Sequence, residues 1–455
     1  MLSGLRSRWH DVRSGLWFLP GLVAAAFAAV AVVLVQVDRA AGPSGVEDLF
    51  GGSASAARAI LSTVAGSVIT VAGLAFSITI ITLQLVSQQF SPRATRTFLG
   101  NRPTQLAAGV FLGVFVYCLI VLRAVREEDF GEFVPGLSVA VAILLGVVGI
   151  AVLLFFINDT AQSIKVSSIA ARIARETLAS IDTLYPEPYG EPVDASVEET
   201  VAEWRGAGEP VAVRAPRPGF VQRVDLDLLA DRLPREVERV HVRVYPGEFV
   251  TEAQALVHAW PGEADAAAVE RAVRAGVVVA DEREVREDPQ YGVEQLADIA
   301  LRAISPSVND PATAVTSIAY VAACLERLAG RGFPASRRRF RGDRLEVLAE
   351  RPRFETFVEH GLEDVGRWAG EARRVVEALL AAAARAAAVA SDAGADDRAD
   401  ALLAAAERIA ATARDAARLP GDRDAVEGAL ERVAAAVEER RPESVRLASG
   451  GRRVT

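Results

Sequence analysis

The side chains best suited to chemistry in this sequence are hydroxyls and amides within a long uncharged stretch. Residues 59–92 lie between Arg58 and Arg93 and contain no ionisable side chain. Six of their polar members recur at spacings of three, four or seven residues, which places these six on one face of a helix. Groups arranged in this way can replace part of the water around a permeating ion. This polar stripe consists of Thr63, Ser67, Thr70, Ser77, Gln84 and Gln88, with Leu74 and Ile81 as apolar interruptions.

Two interpretations of the polar stripe are open. In the first, the stripe lines a pore or a water-filled cavity, because hydrocarbon cannot satisfy hydroxyl and amide groups. Leu74 and Ile81 would then act as hydrophobic gates. In the second, the hydroxyls bond back to carbonyls of their own helix, and Gly66 and Gly73 beside the stripe serve helix packing. The glutamines favour the first interpretation, because an amide has more donors and acceptors to satisfy than a hydroxyl.

The stripe needs a membrane region to position it, and the sequence predicts four spanning helices. Four uncharged apolar runs are each long enough to cross a hydrocarbon core of ~30 Å. We place the first span after a basic segment that resembles the start of a signal peptide. Its apolar run is longer than a usual signal sequence, so we expect it to be retained. The spans cover about residues 16–37, 60–88, 104–122 and 134–157.

The arginines of the short loops predict the orientation. Arg6, Arg8 and Arg13 precede the first span, and the loop between the second and third spans is also rich in arginine. The two opposite loops are acidic overall. Because loops on the cytoplasmic side carry the excess of basic residues, we expect both termini to lie in the cytoplasm.

The rest of the chain predicts a mixed α/β domain followed by helices. Short runs rich in β-branched residues indicate strands near residues 211–214, 219–225, 239–245 and 255–260. This segment resembles the doublet of a barrel-sandwich hybrid, the module of biotinyl and lipoyl carriers, but it contains no lysine. We therefore expect a small structural β-domain. The predicted regions are a connecting helix and linker at 159–209, the α/β domain at 210–370, an alanine-rich helical region at 371–446 and a disordered tail at 447–455.

The sequence of residues 288–315, DPQYGVEQLADIALRAISPSVNDPATAV, predicts two helices joined by a turn. Ser305 and Pro306 end the first helix. Asn309 and Asp310 supply the N-cap of the second, and Pro311 its first residue. A packed helix–turn–helix accounts for all of these residues. The alternative is a ligand or gating site at Ser305, Asn309 and Asp310.

Three features together resemble an uncharacterised bacterial membrane family, catalogued as domain of unknown function 2254. They are the long second span, the QFSPR sequence that follows it, and the sequence IALRAISPSVNDPATA. The resemblance runs over about residues 17–370. It implies an integral membrane protein with a cytoplasmic domain, and it implies no activity and no functional residue.

Common enzymatic and metal-binding motifs do not occur in the sequence. It has no phosphate-binding loop, no dinucleotide-binding glycine pattern, no H-E-x-x-H and no C-x-x-C. The pair His241 and His258 could meet across strands, but two histidines do not make a metal site. Cys118 and Cys324 predict neither a disulfide nor a metal site. We expect no enzymatic activity, no catalytic residue, no metal and no cofactor.

These observations predict a homo-oligomeric channel whose second helix lines an ion pore, with the cytoplasmic domain assembling or gating it. The lack of charge inside the spans favours a passive channel over a proton-coupled transporter. The alternative is a non-conducting membrane scaffold or sensor whose cytoplasmic domain binds a ligand or partner. Expected partners are the lipid bilayer, further copies of the chain and a permeating ion. The net charge of −9 argues against nucleic acid.

Overall fold

A computed structural model of the chain describes residues 18–41, 53–89, 102–126, 133–163, 165–187, 197–206, 208–349 and 351–438. The chain divides into two compact units, Met1–Ile169 and Ala170–Thr455. Within the described residues, 5 helices are long and apolar enough to cross a membrane. Four of these belong to the first unit, and the fifth, Pro311–Ala329, belongs to the second. The count of four spans therefore stays a prediction.

The first unit is a bundle of four helices, one at each apolar run of the sequence. Its central member is α3, which packs against the other three helices. Half of the most apolar window of α3 is buried, against 22% or less for the other three. The helices are α1 (Phe18–Ala41), α2 (Ala54–Gln89), α3 (Arg102–Ala124) and α4 (Gly136–Ser163).

Two glycines let α1 and α3 approach each other closely. A Cβ atom at Gly113 would lie 2.8 Å from Cγ of Phe27, and one at Gly109 would lie 3.0 Å from Cβ of Val23. Small residues are typical where membrane helices touch, because close packing replaces the hydrophobic driving force that lipid does not provide. These two positions fix the most extensive helix contact of the first unit.

A buried carboxylate joins the end of α1 to the start of α4. Asp38 accepts hydrogen bonds from the backbone N–H groups of Leu137 and Ser138, both at 3.1 Å, and from the hydroxyl of Ser138 at 2.5 Å. The first N–H groups of a helix have no partner within the helix, and a negative charge there is favourable. Tyr117 of α3 donates to the carbonyl of Ser138 at 3.0 Å, so three helices meet at this point.

The second unit combines two small sheets with two short helices, α7 and α8, that pack on each other. One sheet has the strand order β1-β5-β3-β8-β7, and the other has the order β4-β2-β6. Valine, leucine and alanine side chains form the core beneath them. The elements are β1 (Val211–Arg214), β2 (Gly219–Val224), α7 (Leu226–Arg232), β3 (Arg239–Val242), β4 (Phe249–Val250), β5 (Ala255–Trp260), α8 (Ala266–Gly276), β6 (Val277–Ala280), β7 (Arg337–Phe340) and β8 (Leu345–Ala349).

The β-domain expected over residues 210–260 is not self-contained. All four predicted strands are present, but β6, β7 and β8 complete the two sheets from later in the chain. Strand β8 pairs in parallel with β3, with Val240 opposite Val347. All three of these strands lie within the α/β domain predicted at 210–370. The sequence analysis did not predict β7, because its sequence, RRRF, shows no strand-like alternation of apolar and polar residues.

The remaining elements of the second unit are helices. Helix α10 packs between α9 and α13, and α13, α14 and α15 pack on one another. Gly394, with a φ of +73°, lies in the break between α13 and α14. Residues 447–455 lie outside the described part of the chain. The helices are α5 (Val166–Leu184), α6 (Val197–Arg205), α9 (Pro289–Ile304), α10 (Pro311–Ala329), α11 (Phe354–Val358), a π-helical turn (Glu359–Glu363), α12 (Asp364–Ala369), α13 (Arg373–Asp392), α14 (Asp396–Ala416) and α15 (Pro420–Glu438).

Gly292 of α9 lies directly against α5. A Cβ atom at this position would collide with the hydroxyl of Thr177 and would lie 3.0 Å from its Cβ and Cγ2 atoms. Thr177 is buried, and its hydroxyl donates to the carbonyl of Ile173 at 2.8 Å. The side chain of Thr177 is therefore held in place, and only glycine fits opposite it.

We expect the substitution Gly292→Ala to lower the free energy of unfolding by ~1–3 kcal/mol, because the added methyl overpacks this contact. Thermal unfolding of the purified chain in detergent measures the change. Gly421→Ala is the matched control, since nothing lies within 4 Å of its Cβ position. Adding Thr177→Ala to Gly292→Ala should restore part of the loss. Equal melting of the two glycine variants would contradict the prediction.

Candidate functional site

The polar stripe of α2 lies on the face that its own bundle leaves open. Every member with a described side chain is exposed, from Thr63 to Gln84. The two apolar interruptions, Leu74 and Ile81, are 58% and 55% exposed. Gln88 belongs to α2, but its side chain lies outside the described residues. The structure thus places the predicted pore-lining residues together along one unpacked face.

The opposite face of α2 is packed against its own chain. Ala57, Leu61, Ala65 and Val68 are buried, and they belong to the core of the first unit. This face packs against α3 and α4. Because small and apolar residues hold α2 in the bundle, the direction in which the polar stripe points is fixed.

Hydrogen bonding divides the stripe into two kinds of residue. The hydroxyls of Thr63 and Thr70 donate to the carbonyls of Ala59 and Gly66 at 2.7 and 2.8 Å. They are satisfied within α2 and need neither water nor a partner. Among the described residues, the side chains of Ser67, Ser77 and Gln84 have no hydrogen-bond partner. The threonines therefore fit the packing interpretation, and the other three residues fit a polar surrounding.

The exposed face of α4 differs in character from that of α2. Between Ile143 and Ile157 its exposed large side chains are hydrophobic, and they include Leu144, Val147, Ile150 and Leu154. This part of the face suits hydrocarbon, because these side chains have no polar group to satisfy. The exposed Asn158 and Gln162 lie beyond it, near the end of α4, and bond to each other at 3.1 Å. The first unit therefore presents an apolar surface on α4 and a striped surface on α2.

The SPSVNDP turn joins α9 to α10 as the sequence predicts. The hydroxyl of Ser305 donates to the carbonyl of Arg302 at 2.7 Å. Asn309 adopts a φ of +47°, a left-handed conformation that asparagine tolerates better than most residues. Asp310 is the N-cap of α10 and accepts from the N–H of Thr313 at 3.1 Å and from its hydroxyl at 2.6 Å. These bonds to Thr313 lower the pKa of Asp310.

The three candidate ligand residues of this turn thus have structural tasks. Ser305 bonds to the end of α9, Asn309 supplies the left-handed residue, and Asp310 caps α10. The helix–turn–helix interpretation accounts for the geometry of each of them. A ligand or gating role for the turn stays a prediction.

A buried ion-pair network precedes the same pair of helices. Arg283 donates to Asp288 at 2.7 Å and to Glu294 at 2.6 Å, and its guanidinium lies 4.7 Å from the ring centre of Tyr291. Asp288 also caps α9 by accepting from the N–H of Tyr291 at 3.1 Å. Gly247, with a φ of +99°, lies so close that a Cβ atom there would collide with Asp288.

Charge balance explains the electrostatics of this network. Burial raises the pKa of Asp288, although Arg283 favours its ionised form. Burial opposes the charge of Arg283, but the two carboxylates raise its pKa, so the guanidinium stays charged. Each charged group has an ionic partner, which suits a structural role. The sequence analysis missed this network, although Asp288-Pro289 repeats the Asp-Pro signal of Asp310-Pro311.

Nothing in the described part of the chain groups three potential metal ligands together. His241 and His258 do face each other across β3 and β5, as the sequence suggested, with ring centres 6.5 Å apart. An open cleft of about 450 Å³ in the second unit is bordered by Glu326, Arg327 and Arg331. All three are ion-paired: Glu326 with Arg385, and both arginines with Asp182.

Comparisons with known proteins give a consistent result. A family model described as predicted membrane protein (DUF2254) matches residues 13–385. An uncharacterized protein of Mycobacterium bovis and two of Mycobacterium tuberculosis, from strains H37Rv and CDC 1551, are each 31% identical to the chain over 386 residues. Each alignment covers 84% of this chain and 73% of the relative. No solved structure matches the chain significantly.

We expect Asp310→Ala to lower the free energy of unfolding by ~0.5–2 kcal/mol, because α10 loses its N-cap. Because the folded-state pKa of Asp310 is lowered, its contribution is complete above the ordinary value of 3.8 and is lost as the pH falls through the folded-state value. Thermal unfolding in a pH series measures both effects. Asn309→Gly is the control that keeps the turn, since glycine accepts a positive φ. If Asp310→Ala or Asn309→Ala instead loses the expected channel conductance while its melting temperature and assembly are unchanged, the turn is a ligand or gating site.

Proposed function

The chain belongs to the DUF2254 family of predicted membrane proteins, and from this premise we propose that it is a homo-oligomeric channel whose α2 helices line an ion pore. The observation that carries the proposal is the exposed polar stripe on α2. Ser67, Ser77 and Gln84 have no hydrogen-bond partner among the described residues. Each such group costs several kcal/mol in hydrocarbon. Copies of the chain arranged around one axis would turn these groups toward water.

The dimensions of the stripe support a continuous path. At 1.5 Å per residue, the segment from Thr63 to Gln84 extends over about 32 Å, close to the ~30 Å thickness of a hydrocarbon core. Leu74 and Ile81 lie on the same face, exposed and one heptad apart. Rings of such side chains would narrow the path and could close it by dewetting. The soluble domain would assemble the oligomer or gate it.

A non-conducting scaffold or sensor is the second candidate. Thr63 and Thr70 are satisfied within α2, so they fit a packed interface between copies as well as a pore. The Cβ positions of Gly66 and Gly73 are open, which would let a second helix approach closely. In this case the stripes would bury one another, and the soluble domain would bind a ligand or a partner.

We propose that the protein lies in the bacterial inner membrane with four spans and with both termini and the soluble domain in the cytoplasm. The fifth apolar helix, α10, is assigned to the soluble domain for two reasons. Its hydropathy is 1.2, against 2.2 or more for the helices of the first unit. It also carries Glu326 and Arg327, which pair with Arg385 and Asp182. We propose no enzymatic activity and no cofactor.

Reporter fusions test this topology. Fusions after Arg102 and after Arg175 should give a cytoplasmic signal, and fusions near Gly45 or Glu128 should give a periplasmic one, because of the arginine bias of the loops. A fusion after Gly330, behind α10, provides the added control. A periplasmic signal there, together with a cytoplasmic one after Arg175, would show that α10 crosses the membrane.

Cysteine labelling and conductance test the pore. After replacement of Cys118 and Cys324, we expect Ser77→Cys and Gln84→Cys to react with water-soluble thiol reagents in membranes. Val147→Cys on α4 is the matched control, since Val147 is also exposed in one chain but lies on the apolar face that we assign to lipid, which suppresses thiolate formation. Leu74→Ser should raise the conductance of reconstituted bilayers, because a ring of serine hydroxyls at this position would keep water in the pore where a ring of leucines excludes it.

The packing alternative makes the opposite forecast for the same variants. If the stripes bury one another, Ser77→Cys should be as unreactive as Val147→Cys. Bilayers with either protein should stay electrically silent, and Leu74→Ser should change only the melting temperature. That combination of results would support the scaffold and exclude the pore.

A further inference from the structure

Helix α12 carries an unusually exposed tryptophan. Among the described residues of the second unit, Trp368 is the most exposed large hydrophobic side chain at 76%, followed by Leu419 at 64%. Close packing fixes the position of α12, because a Cβ atom at Gly366 would lie 2.7 Å from Cγ1 of Ile409 in α14. Residues two apart lie on nearly opposite sides of a helix, so Trp368 faces away from this contact. Its indole is therefore an apolar surface that the chain itself does not cover.

An apolar cleft lies beside this tryptophan. Gly370, two residues after Trp368, lines a cleft of about 360 Å³. The cleft opens between the turn that joins α12 to α13 and the turn that joins α14 to α15. Three of its apolar residues are buried, and the fourth, Leu419, is exposed. The apolar lining consists of Val376, Ala413, Leu419 and Val426.

Two ion pairs cross the rim of the cleft. Arg418 lies 2.5 Å from Glu371, and Arg373 lies 3.6 Å from Asp422. Each pair connects the α12–α13 side of the cleft to the α14–α15 side. Arg418 is 79% exposed and Glu371 55% exposed, and exposed ion pairs contribute little to stability. The rim thus carries two charges of each sign, which can exchange partners at little cost.

The charges around Trp368 favour a protein over a lipid surface as the occupant. Helices that bind a bilayer surface combine tryptophan with an excess of Lys and Arg, because the cytoplasmic leaflet is negatively charged. The charged groups near Trp368 instead pair with each other: Arg367 lies 3.6 Å from Glu359, and Arg408 lies 2.7 Å from Glu363. The balanced rim of the cleft has no positive excess either.

We propose that Trp368 and this cleft form a contact between two copies of the chain, in which the indole of each copy occupies the cleft of the other. A contact between identical surfaces about a twofold axis requires the apolar group and its recess to lie side by side, as they do here. It also requires a rim with both signs of charge, because like charges would otherwise face each other. The contact rests on the homo-oligomer of the proposed function, and it does not depend on whether that oligomer conducts.

The area of the contact predicts its strength. Two indoles would bury ~300–500 Å² together, at ~150–250 Å² for each aromatic side chain. A stable interface buries ~1,200–2,000 Å². The contact alone would therefore hold two copies weakly, and the rest of the interface must come from elsewhere in the oligomer. Tryptophan is among the residues that concentrate binding energy at interfaces, so the contact should depend strongly on this one side chain.

Photo-crosslinking of the full-length chain in reconstituted bilayers tests the contact. A copy with Trp368→benzoylphenylalanine is co-expressed with a differently tagged copy that lacks this substitution. We expect crosslinks between the two tags, attached to peptides of the cleft that contain Leu419. Phe249→benzoylphenylalanine is the matched control, because Phe249 is 54% exposed but lies on β4, and it should give no crosslink to the cleft.

A blocked cleft makes the test specific. Ala417 lines the cleft and is partly exposed, so Ala417→Phe would fill the cleft without changing Trp368. Placed only in the receiving copy, this variant should lower the crosslink yield at least fivefold, and Phe249→Ala should leave the yield unchanged. If Ala417→Phe does not fold, Leu419→Ser decides, since Leu419 is exposed and its loss need not disturb the core. An unchanged yield in a folded variant would reject the contact.

Sedimentation of the wild type separates this contact from the proposed function. A monomeric wild type would reject both. An oligomer whose crosslinks reach only lipid, another protein surface or the same chain would reject the contact alone. Crosslinks to the cleft of the second copy in electrically silent bilayers would support the contact and reject the pore.

Discussion

Hydrocarbon offers no hydrogen-bond partners, and this constraint governs the architecture of the first unit. Every polar group there must be satisfied by the protein or turned toward water. Asp38 shows the first solution: its carboxylate takes three hydrogen bonds from the start of α4 and so closes one end of the bundle. Thr63 and Thr70 use carbonyls of their own helix. The outward-facing Ser67, Ser77 and Gln84 have no hydrogen-bond partner among the described residues. Their partners must therefore come from outside the single chain.

The exposed faces of α2 and α4 in the first unit differ in chemical character. On α4 the exposed large side chains between Ile143 and Ile157 are hydrophobic, as a lipid-facing surface requires. On α2 the exposed face is divided between hydroxyls, an amide and large apolar side chains such as Leu74. A face of mixed character is poorly suited to lipid, and it is equally unsuited to bulk water. In the proposed oligomer, contact between copies of the chain, with or without a water-filled path between them, would meet both requirements.

In the second unit, buried arginines pair with carboxylates and backbone carbonyls. Arg283 pairs with Asp288, the N-cap of α9, and with Glu294 in its second turn. Gly247 has no side chain and so leaves room for Asp288 in this network. Arg398 binds the carbonyls at the end of α10, where a positive charge is favourable, and packs on two aromatic rings. Arg351 is the exception, because its buried donor has no described partner.

The sequence by itself determined the features that depend on near neighbours along the chain. The membrane helices follow from uncharged apolar runs, and the cap at Asp310 follows from an Asp-Pro pair. Their causes lie within one or two helical turns, so a pattern of residue types suffices. The common face of the polar stripe was predicted for the same reason.

Only the tertiary structure decided which surfaces meet. The pairing of β8 with β3, the network around Arg283 and the open side of α2 all join or separate residues far apart in sequence. These features could not be predicted from residue types. The sequence RRRF has no strand-like pattern, and a polar stripe on a helix does not show whether neighbouring helices cover it. Such contacts depend on how all the helices and strands pack together. The residues that determine this packing are distributed over the whole chain, so no single segment predicts it.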